Sequence, residues 1–314
     1  MKNNIKVIIT GSSGFLGKKL FDKFYRNKNY KVYKFNKSNG QDLRNYSKSN
    51  SYIKKINPDL IIHCAAYVGG IQFVKKNAVK VFEDNMQMSL NITKIVATNK
   101  IKKFINIMPN CAYPSKYDKY FEDNWWDGKI HESVLVYGMS RKIIETACFA
   151  FQQKYFFQSL HLVLPNLYGP GDHFSPIRSH ALGGIMTKIV DAKINATPKV
   201  EIWGSGKPIR EWLYIDDAVE IILKIAKKNN FLKNNEIINI GTNQGISIKN
   251  LSEKIKKISK YRGKLIYNKK MIDGSKIKIL SSVKIKKYYN WSPKTKLDNG
   301  LLKTIKYYLK IKGK

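Results

Sequence analysis

Ile5-Lys6-Val7-Ile8-Ile9-Thr10-Gly11-Ser12-Ser13-Gly14-Phe15-Leu16-Gly17 reads as a strand, a tight turn and the opening of a helix. The apolar run Ile5–Thr10 ends at Gly11, and Phe15, Leu16, Leu20, Phe21 and Phe24 then recur at helical spacing. The glycines between them stand as GxxGxxG. Such a set permits a tight turn, close backbone approach to a pyrophosphate and close helix–strand packing. The helix N-terminus adds unpaired N–H groups and the positive end of its dipole. A position straight after a strand is the context the motif requires. Gly11, Ser13, Gly14, Phe15, Leu16 and Gly17 are therefore expected at a bound dinucleotide.

Outward from this turn, short apolar strands are predicted at Lys31–Phe35, Leu60–Ala65, Phe104–Met108 and Leu160–Leu164. They alternate with helices that close at Tyr52–Ile56 and run over Val81–Thr98 and Tyr137–Gln153. Strands that are almost continuously apolar are buried on both faces. The fold expected is α/β, a Rossmann-type doubly wound parallel sheet with a smaller C-terminal α/β cap. Pro165–Pro176, rich in Gly, Pro, Asn and Asp, reads as loop and marks the boundary: residues 1–164 form the dinucleotide-binding core and 165–314 mainly the substrate cap. The chain is expected to return to the core near 211–240. There Trp212–Ile215 would bring a strand back to the sheet, and Asp216-Asp217 would cap the next helix. Leu301–Ile311 reads as a surface helix. The end of the second strand, Phe35-Asn36-Lys37-Ser38, carries a cation and no acid, so NADP(H) is expected over NAD(H). Asn36 and Lys37 would face the 2′-phosphate and Asp42-Leu43 the adenine.

The 314 residues can bury a sizeable core. No stretch approaches the roughly 20 apolar residues of a membrane span, and the N-terminal apolar run is too short for a signal peptide. Cys64, Cys111 and Cys148 lie far apart with no CxxC pair, so no metal site or disulfide framework is expected and a cytoplasmic location fits. The formal charge is +36. Its lysine pairs, from Lys54-Lys55 to Lys286-Lys287, recur along the whole chain and do not gather on one element. The charge is read as compositional, with no nucleic-acid or membrane partner expected.

Five further stretches carry a more specific signal: Ala65-Ala66-Tyr67-Val68-Gly69-Gly70-Ile71, Asn110-Cys111-Ala112-Tyr113-Pro114, Pro165-Asn166-Leu167-Tyr168-Gly169-Pro170, Ser179-His180 and Trp203-Gly204-Ser205-Gly206-Lys207-Pro208-Ile209-Arg210-Glu211. In this order and spacing the chain resembles the GDP-L-fucose synthase family, the GDP-4-keto-6-deoxymannose 3,5-epimerase/4-reductases. The likeness extends to Asn239-Ile240-Gly241-Thr242 and Asp273-Gly274-Ser275. The resemblance implies a GDP-linked nucleotide-sugar substrate and a homodimer built on two long helices, for which Val81–Thr98 and Tyr137–Gln153 are candidates. It implies that Cys111 and His180 move protons at carbons beside a keto group, and that Tyr137 donates the proton during reduction. It places Ala65, Ala66, Pro165, Asn166 and Leu167 at the cofactor, and Val68, Gly69, His180, Lys188, Trp203, Arg210 and Lys278 at the substrate.

Two positions depart from that pattern. Where the family places a serine, four residues before Tyr113, stands Pro109, so its hydrogen bond passes to Asn110, to a water or to nothing. Four residues after Tyr137 stands Arg141 in place of lysine. It shares the Tyr137 face of the helix and supplies a fixed charge and donors to the cofactor's ribose, but it cannot relay a proton. Lys142 lies about 140° around the helix from Tyr137 and is expected to point elsewhere. Besides the epimerase/reductase, the sequence therefore leaves open an epimerase whose reduction has been lost, and a non-enzymatic binding protein on the same scaffold.

Overall fold

A computed structural model describes residues 4–175, 179–231, 233–271 and 273–313. In the first half β1 (Ile5–Thr10), α1 (Phe15–Tyr25), β2 (Tyr30–Phe35), α2 (Tyr46–Ile56), β3 (Leu60–His63), α3 (Ile71–Lys76), α4 (Ala78–Thr98), β4 (Lys103–Pro109), α5 (Leu135–Gln152) and β5 (Gln158–Leu164) alternate. The second half runs β6 (Asn166–Tyr168), α6 (Ala181–Ile194), β7 (Lys199–Trp203), β8 (Ile209–Tyr214), α7 (Ile215–Ala226), β9 (Glu236–Asn239), β10 (Gly245–Ser247), α8 (Ile248–Ser259), β11 (Lys264–Asn268), β12 (Ile277–Lys278), α9 (Val283–Tyr289) and α10 (Leu297–Ile311).

The central sheet has the order β2-β1-β3-β4-β5-β9, and every pairing in it is parallel. Side chains alternate across it with the strand period of two. Val7, Ile9, Ile62 and Ile105 face α1 and α7, packing with Leu20, Phe24, Ile221 and Ile225. Ile8, Ile61 and Phe104 face the other way, toward Ile53 of α2, Ile92 of α4 and Ile144 of α5. Both faces are thus covered, as the uninterrupted apolar strands require. The strand order reverses beside β1, which opens a crevice at the carboxyl ends of β1 and β3. Ligands of open parallel sheets bind at such a point. A second core joins α6, β7, α8 and α10 through Met186, Ile189, Ile202, Leu251, Ile255, Leu301 and Ile305. Among the described residues no helix is long and apolar enough to cross a membrane, and no His/Cys/Asp/Glu group is arranged to hold a metal.

Three expectations for the second half are corrected. Trp212–Ile215 does not return to the central sheet. Trp212–Tyr214 is the end of β8, which pairs with β6, β10 and β12 in a separate sheet. Its side chains divide the strand between two cores, Trp212 and Tyr214 in the second and Leu213 in the first. The strand that joins β5 is β9. Secondly, Pro165–Pro176 is not all loop, because Asn166–Tyr168 is held as strand by parallel pairing to Trp212–Tyr214; Pro176 itself lies outside the described residues. Thirdly, Tyr214 occupies the N-cap of α7, and Asp216 and Asp217 fall in its first turn, where acids favour the helix dipole. Asp217 accepts from the Thr295 amide.

A row of buried polar side chains crosses the sheet under its carboxyl edge. His161 accepts at Nδ1 from Asn106 and reaches Asn235 Oδ1 through Nε2, at 3.1 and 2.8 Å. Burial depresses its pKa from 6.5 to about 4, against the pull of Asn235. A depressed histidine stabilises the fold fully above its unfolded value and loses that contribution as pH falls through the folded one. Acidification from pH 6.5 to 4 should therefore cost about 3 kcal/mol through His161 alone. Denaturant unfolding across that window should show His161→Gln losing less stability than the native chain by about that amount; equal losses would refute the assignment.

Candidate active site

The turn after β1 closes with Gly14 N donating to Gly11 O at 2.9 Å. Gly11 has φ +68°, and a Cβ there would lie 2.7 Å from Ala65 N. The glycine therefore lets the segments leaving β1 and β3 touch at the crevice. A Cβ on Gly17 would come 2.2 Å from Gly11 O, so α1 starts directly on the turn. Gly14 is the N-cap of α1 and gives no side-chain cap, which leaves the helix N-terminus open to an anion. Ser13 is exposed at this turn, while Leu16 and Gly17 are buried.

The end of β2 is more committed than the sequence suggests. Asn36 is buried, donates to Ser12 Oγ at 2.8 Å and accepts from Asn39 N at 3.1 Å. Asp42 is engaged by both Nε and Nη2 of Arg44, whose Nη1 reaches Asp84. The Arg44 hydrogen bond, followed by the weaker pull of Lys37, holds Asp42 below the usual carboxylate range. Leu43 packs in the core. Lys37, 3.9 Å from Asp42 and more than half exposed, is the cation at this edge that stays open to solvent.

Beyond β4 a single turn of 3-10 helix, Asn110–Ala112, carries Cys111. Gly138, in the first turns of α5, lies on it: a Cβ there would be 3.1 Å from Cys111 O and 3.3 Å from Ala112 Cα. This contact sets Tyr137 beside Cys111. Burial pushes the Tyr137 phenol up to about 12; Arg141 opposes that rise and Cys111 adds to it. Arg141 is 1% exposed, and its guanidinium donates to His63 Nε2, Ala65 O, Asn106 Oδ1 and Ile107 O. Lys142 turns away, as its angle on the helix requires, and reaches Trp125 O under the Trp125 and Trp126 rings. Among the described residues neither the buried Asn110 Nδ2 nor the Nε of Arg141 has a partner.

The opposite wall comes from the second sheet. Register sets Lys278 of β12 directly beside Arg210 of β8. Burial raises the Cys111 thiol pKa, and Lys278 is the cation that lowers it. Burial and Arg210 in turn depress Lys278. A Cβ on Gly274 would lie 3.1 Å from Arg210 Nη2 and 3.2 Å from Ile71 Cδ1, so the wall reaches the start of α3. One on Gly70 would lie 3.3 Å from Ser179 O, which brings the Val68-Gly69-Gly70 turn to the segment ending in His180. His180 occupies the N-cap of α6 without capping it; burial, then His173, depress its pKa. Asn166 Nδ2 donates to Glu211 O at 3.1 Å, and Pro165 is buried.

Lys188 and Trp203 form a pair of their own, with the ammonium 4.3 Å from the ring centroid and bonded to Glu201 O. Trp203 is 51% exposed, so it does not fill the core. The turn after it is tied to Asp273 by Ser205. Sequence reasoning missed Gly138, which looks like any helical glycine. It also missed Tyr120, whose hydroxyl donates to Ile277 O beside Arg210, and His131, which faces Lys278 and Arg210. The nearness of His131 to Tyr137 was the one available signal.

The NAD dependent epimerase/dehydratase family matches residues 7–241. A GDP-L-colitose synthase of Yersinia pseudotuberculosis is 31% identical over 98% of this chain and 99% of its own. GDP-L-fucose synthase 1 of Arabidopsis thaliana is 27% identical over 97% and 93%. Among solved structures, a GDP-6-OMe-4-keto-L-xylo-heptose reductase from C. jejuni shares the fold with TM-score 0.89 at 22% identity, over 99% of each chain. A GDP-L-fucose synthetase from Naegleria fowleri bound to NADP superposes with TM-score 0.84 at 25% identity, over 100% of this chain and 95% of that one.

The packing of α1 on the glycine turn gives a direct test. In Gly17→Ala the methyl would meet Gly11 O, a backbone atom that no rotamer change can move aside. The turn must shift, and dinucleotide affinity measured by fluorescence titration should fall by about tenfold or more, as expected when close backbone approach is lost. Unchanged affinity would remove this turn from the binding site.

Proposed function

The chain belongs to the NAD dependent epimerase/dehydratase family, and from that premise we propose that it is an NADPH-dependent enzyme that epimerises and then reduces a GDP-linked 4-keto-6-deoxy sugar. The observation that carries this reading is the meeting of Cys111 and Tyr137 over Gly138, with Lys278 acting on the thiol and Arg141 on the phenol. The GDP-sugar class is supported by what the relatives are named for, and the cofactor by the Naegleria fowleri synthetase bound to NADP.

The chain's own geometry fits a dinucleotide: an uncapped helix N-terminus, a turn with no room for a Cβ, and a buried donor, Arg141 Nε, without a partner among the described residues. When bound, NADPH supplies the hydride for the carbonyl carbon. Gly11, Ser13, Gly14, Phe15, Leu16 and Gly17 receive the pyrophosphate, and Lys37 meets the 2′-phosphate. Ala65, Ala66, Pro165 and Leu167 line the remaining path. Residues 1–164 hold the dinucleotide, and 165–314 mainly the sugar nucleotide.

A keto group acidifies the hydrogens on its neighbouring carbons because enolate charge spreads onto oxygen. Cys111, as thiolate, removes such a proton, and His180 returns one to the opposite face. Tyr137, protonated at neutral pH, gives its proton to the carbonyl oxygen. Asn110 Nδ2 donates a hydrogen bond to that oxygen, the task Pro109 cannot perform. Arg210 and Lys278 neutralise the diphosphate with Lys188, a suitable use of paired cations, and Trp203 stacks on the base. The half-exposed Phe82 and Leu90 of α4, with Met139 and Phe149 of α5, supply an apolar face for a homodimer in the cytoplasm.

A second reading, epimerisation without reduction, is favoured by one observation: all four terminal N–H groups of Arg141 already have protein acceptors. Incubation with NADPH and GDP-4-keto-6-deoxymannose in D2O separates the two. Reduced product carrying deuterium at C3 and C5 is expected; deuterium without reduction would establish the second reading, and neither would refute both for this sugar. Tyr137→Phe should retain exchange and lose reduction, and Cys111→Ser should lose exchange. Lys278 favours the thiolate, so Lys278→Met should move the exchange pH profile to higher pH, with a roughly tenfold rate loss per unit at fixed pH below it. An unmoved profile would show that another group takes the proton.

A further inference from the structure

Arg141 is a buried cation with no anion bonded to it among the described residues. Its four terminal N–H groups go to two backbone carbonyls, Ala65 O at 3.1 Å and Ile107 O at 2.8 Å, and to two neutral side chains, His63 Nε2 at 3.1 Å and Asn106 Oδ1 at 3.3 Å. Its fifth donor, Nε, has no partner among the described residues. A guanidinium only donates, so His63 must accept at Nε2 and carry its proton on Nδ1. That proton goes to Thr10 Oγ1, 2.8 Å away. Asn106, with Oδ1 given to Arg141, turns its amide to His161 Nδ1. The hydrogen-bond pattern thus runs outward from Arg141 through neutral groups on both sides.

The absence of a carboxylate has an electrostatic consequence. An ion pair would hold the guanidinium but cancel most of its field a few ångströms away. Dipolar acceptors hold it and leave the charge acting on its surroundings, at the desolvation cost that good hydrogen-bond geometry must offset. A planar fork also needs acceptors on two sides, which a lysine ammonium does not. Side chains of β3 and β4 supply half of that set.

Resting on the reductase reading above, we propose that His63 and Asn106 are positioning residues for Arg141. As neutral acceptors they fix its guanidinium beside Tyr137 with its charge uncancelled, and leave Nε–H for the hydroxyls of the cofactor's ribose. The acceptors at 63 and 106 are what allow arginine to serve at position 141.

A double-mutant cycle on NADPH affinity tests this without any sugar. His63→Leu should weaken NADPH binding about tenfold in the native background and less than about twofold in Arg141→Met, because the residues act as one unit. His63→Gln, which keeps an acceptor, should recover most of the loss. Equal losses in both backgrounds would overturn the proposal. Asn106→Asp is the second arm, and covers the case in which His63→Leu fails to fold. Made together with His161→Gln, whose amide can donate to the carboxylate where His161 Nδ1 only accepts, it keeps Arg141 paired but cancels its charge, so the fold should hold while kcat for reduction drops about tenfold or more and the Tyr137 limb of the pH profile moves to higher pH. Such an enzyme with native kcat and profile would also overturn the proposal. Native chain that binds NADPH but reduces no GDP-sugar would sink the function reading instead, and the affinity cycle would still decide this one.

Discussion

The carboxyl edge of the sheet is organised around one interior cation. Removing a guanidinium from water costs several kcal/mol even after relaxation, and that cost is tolerable only where its donors are met. Arg141 meets it by reaching from α5 to the ends of β3 and β4, bonding Ala65 O and Ile107 O. The same Ala65 lies against Gly11, where the glycine turn leaves β1. Three features that the sequence presents separately, the GxxGxxG turn, the Ala65-Ala66 run and the Tyr137 helix, are thereby fixed in one frame.

Part of the fold was readable from sequence because some elements are buried almost throughout. Val7–Thr10 and Leu60–His63 are buried on both sides, so their composition alone marks them as central strands. β6 and β8 were misread because pairing decides them: three residues among glycines and prolines become strand only against a partner 46 residues away in sequence. The site divides in the same way. Cys111 and Arg210 stand in recognisable runs and Tyr137 at a helix start, whereas the run around Lys278 is only loosely similar. The commitment of Asn36 to Ser12, of Arg44 to Asp84, and of His63 and Asn106 to Arg141 depends on side chains meeting across the chain, which no local pattern records.

Burial narrows the many cations of the chain to a few candidates. The chain carries 58 lysines and arginines, and their spacing gives no reason to prefer any of them. Most are solvated, and at physiological salt their fields fade within about 8 Å. Arg141, Arg210 and Lys278 lose charge-stabilising water to burial, and their pKa values fall accordingly. On the proposed reading their fields are screened least where the chemistry needs them. The net charge of +36 is a poor guide to the site, and burial alone is not sufficient either: Lys103 and Lys142 are buried too, each bonded to backbone carbonyls outside it.

Cys111 and Tyr137 need opposite protonation states on the proposed reading, and their nearness makes the needs compatible. The thiol must lose a proton to start epimerisation; the phenol must keep one for reduction. Lys278 lies by the first and Arg141 by the second. A thiolate at Cys111 raises the Tyr137 pKa further, so the phenol is held protonated while proton exchange proceeds. Once the thiolate takes up its proton that contribution is gone, and Arg141, which lowers the Tyr137 pKa, is no longer opposed by it. Gly138 lets α5 approach the Cys111 turn. On the proposed reading the protonation of the thiol therefore bears directly on the acidity of the phenol across that contact.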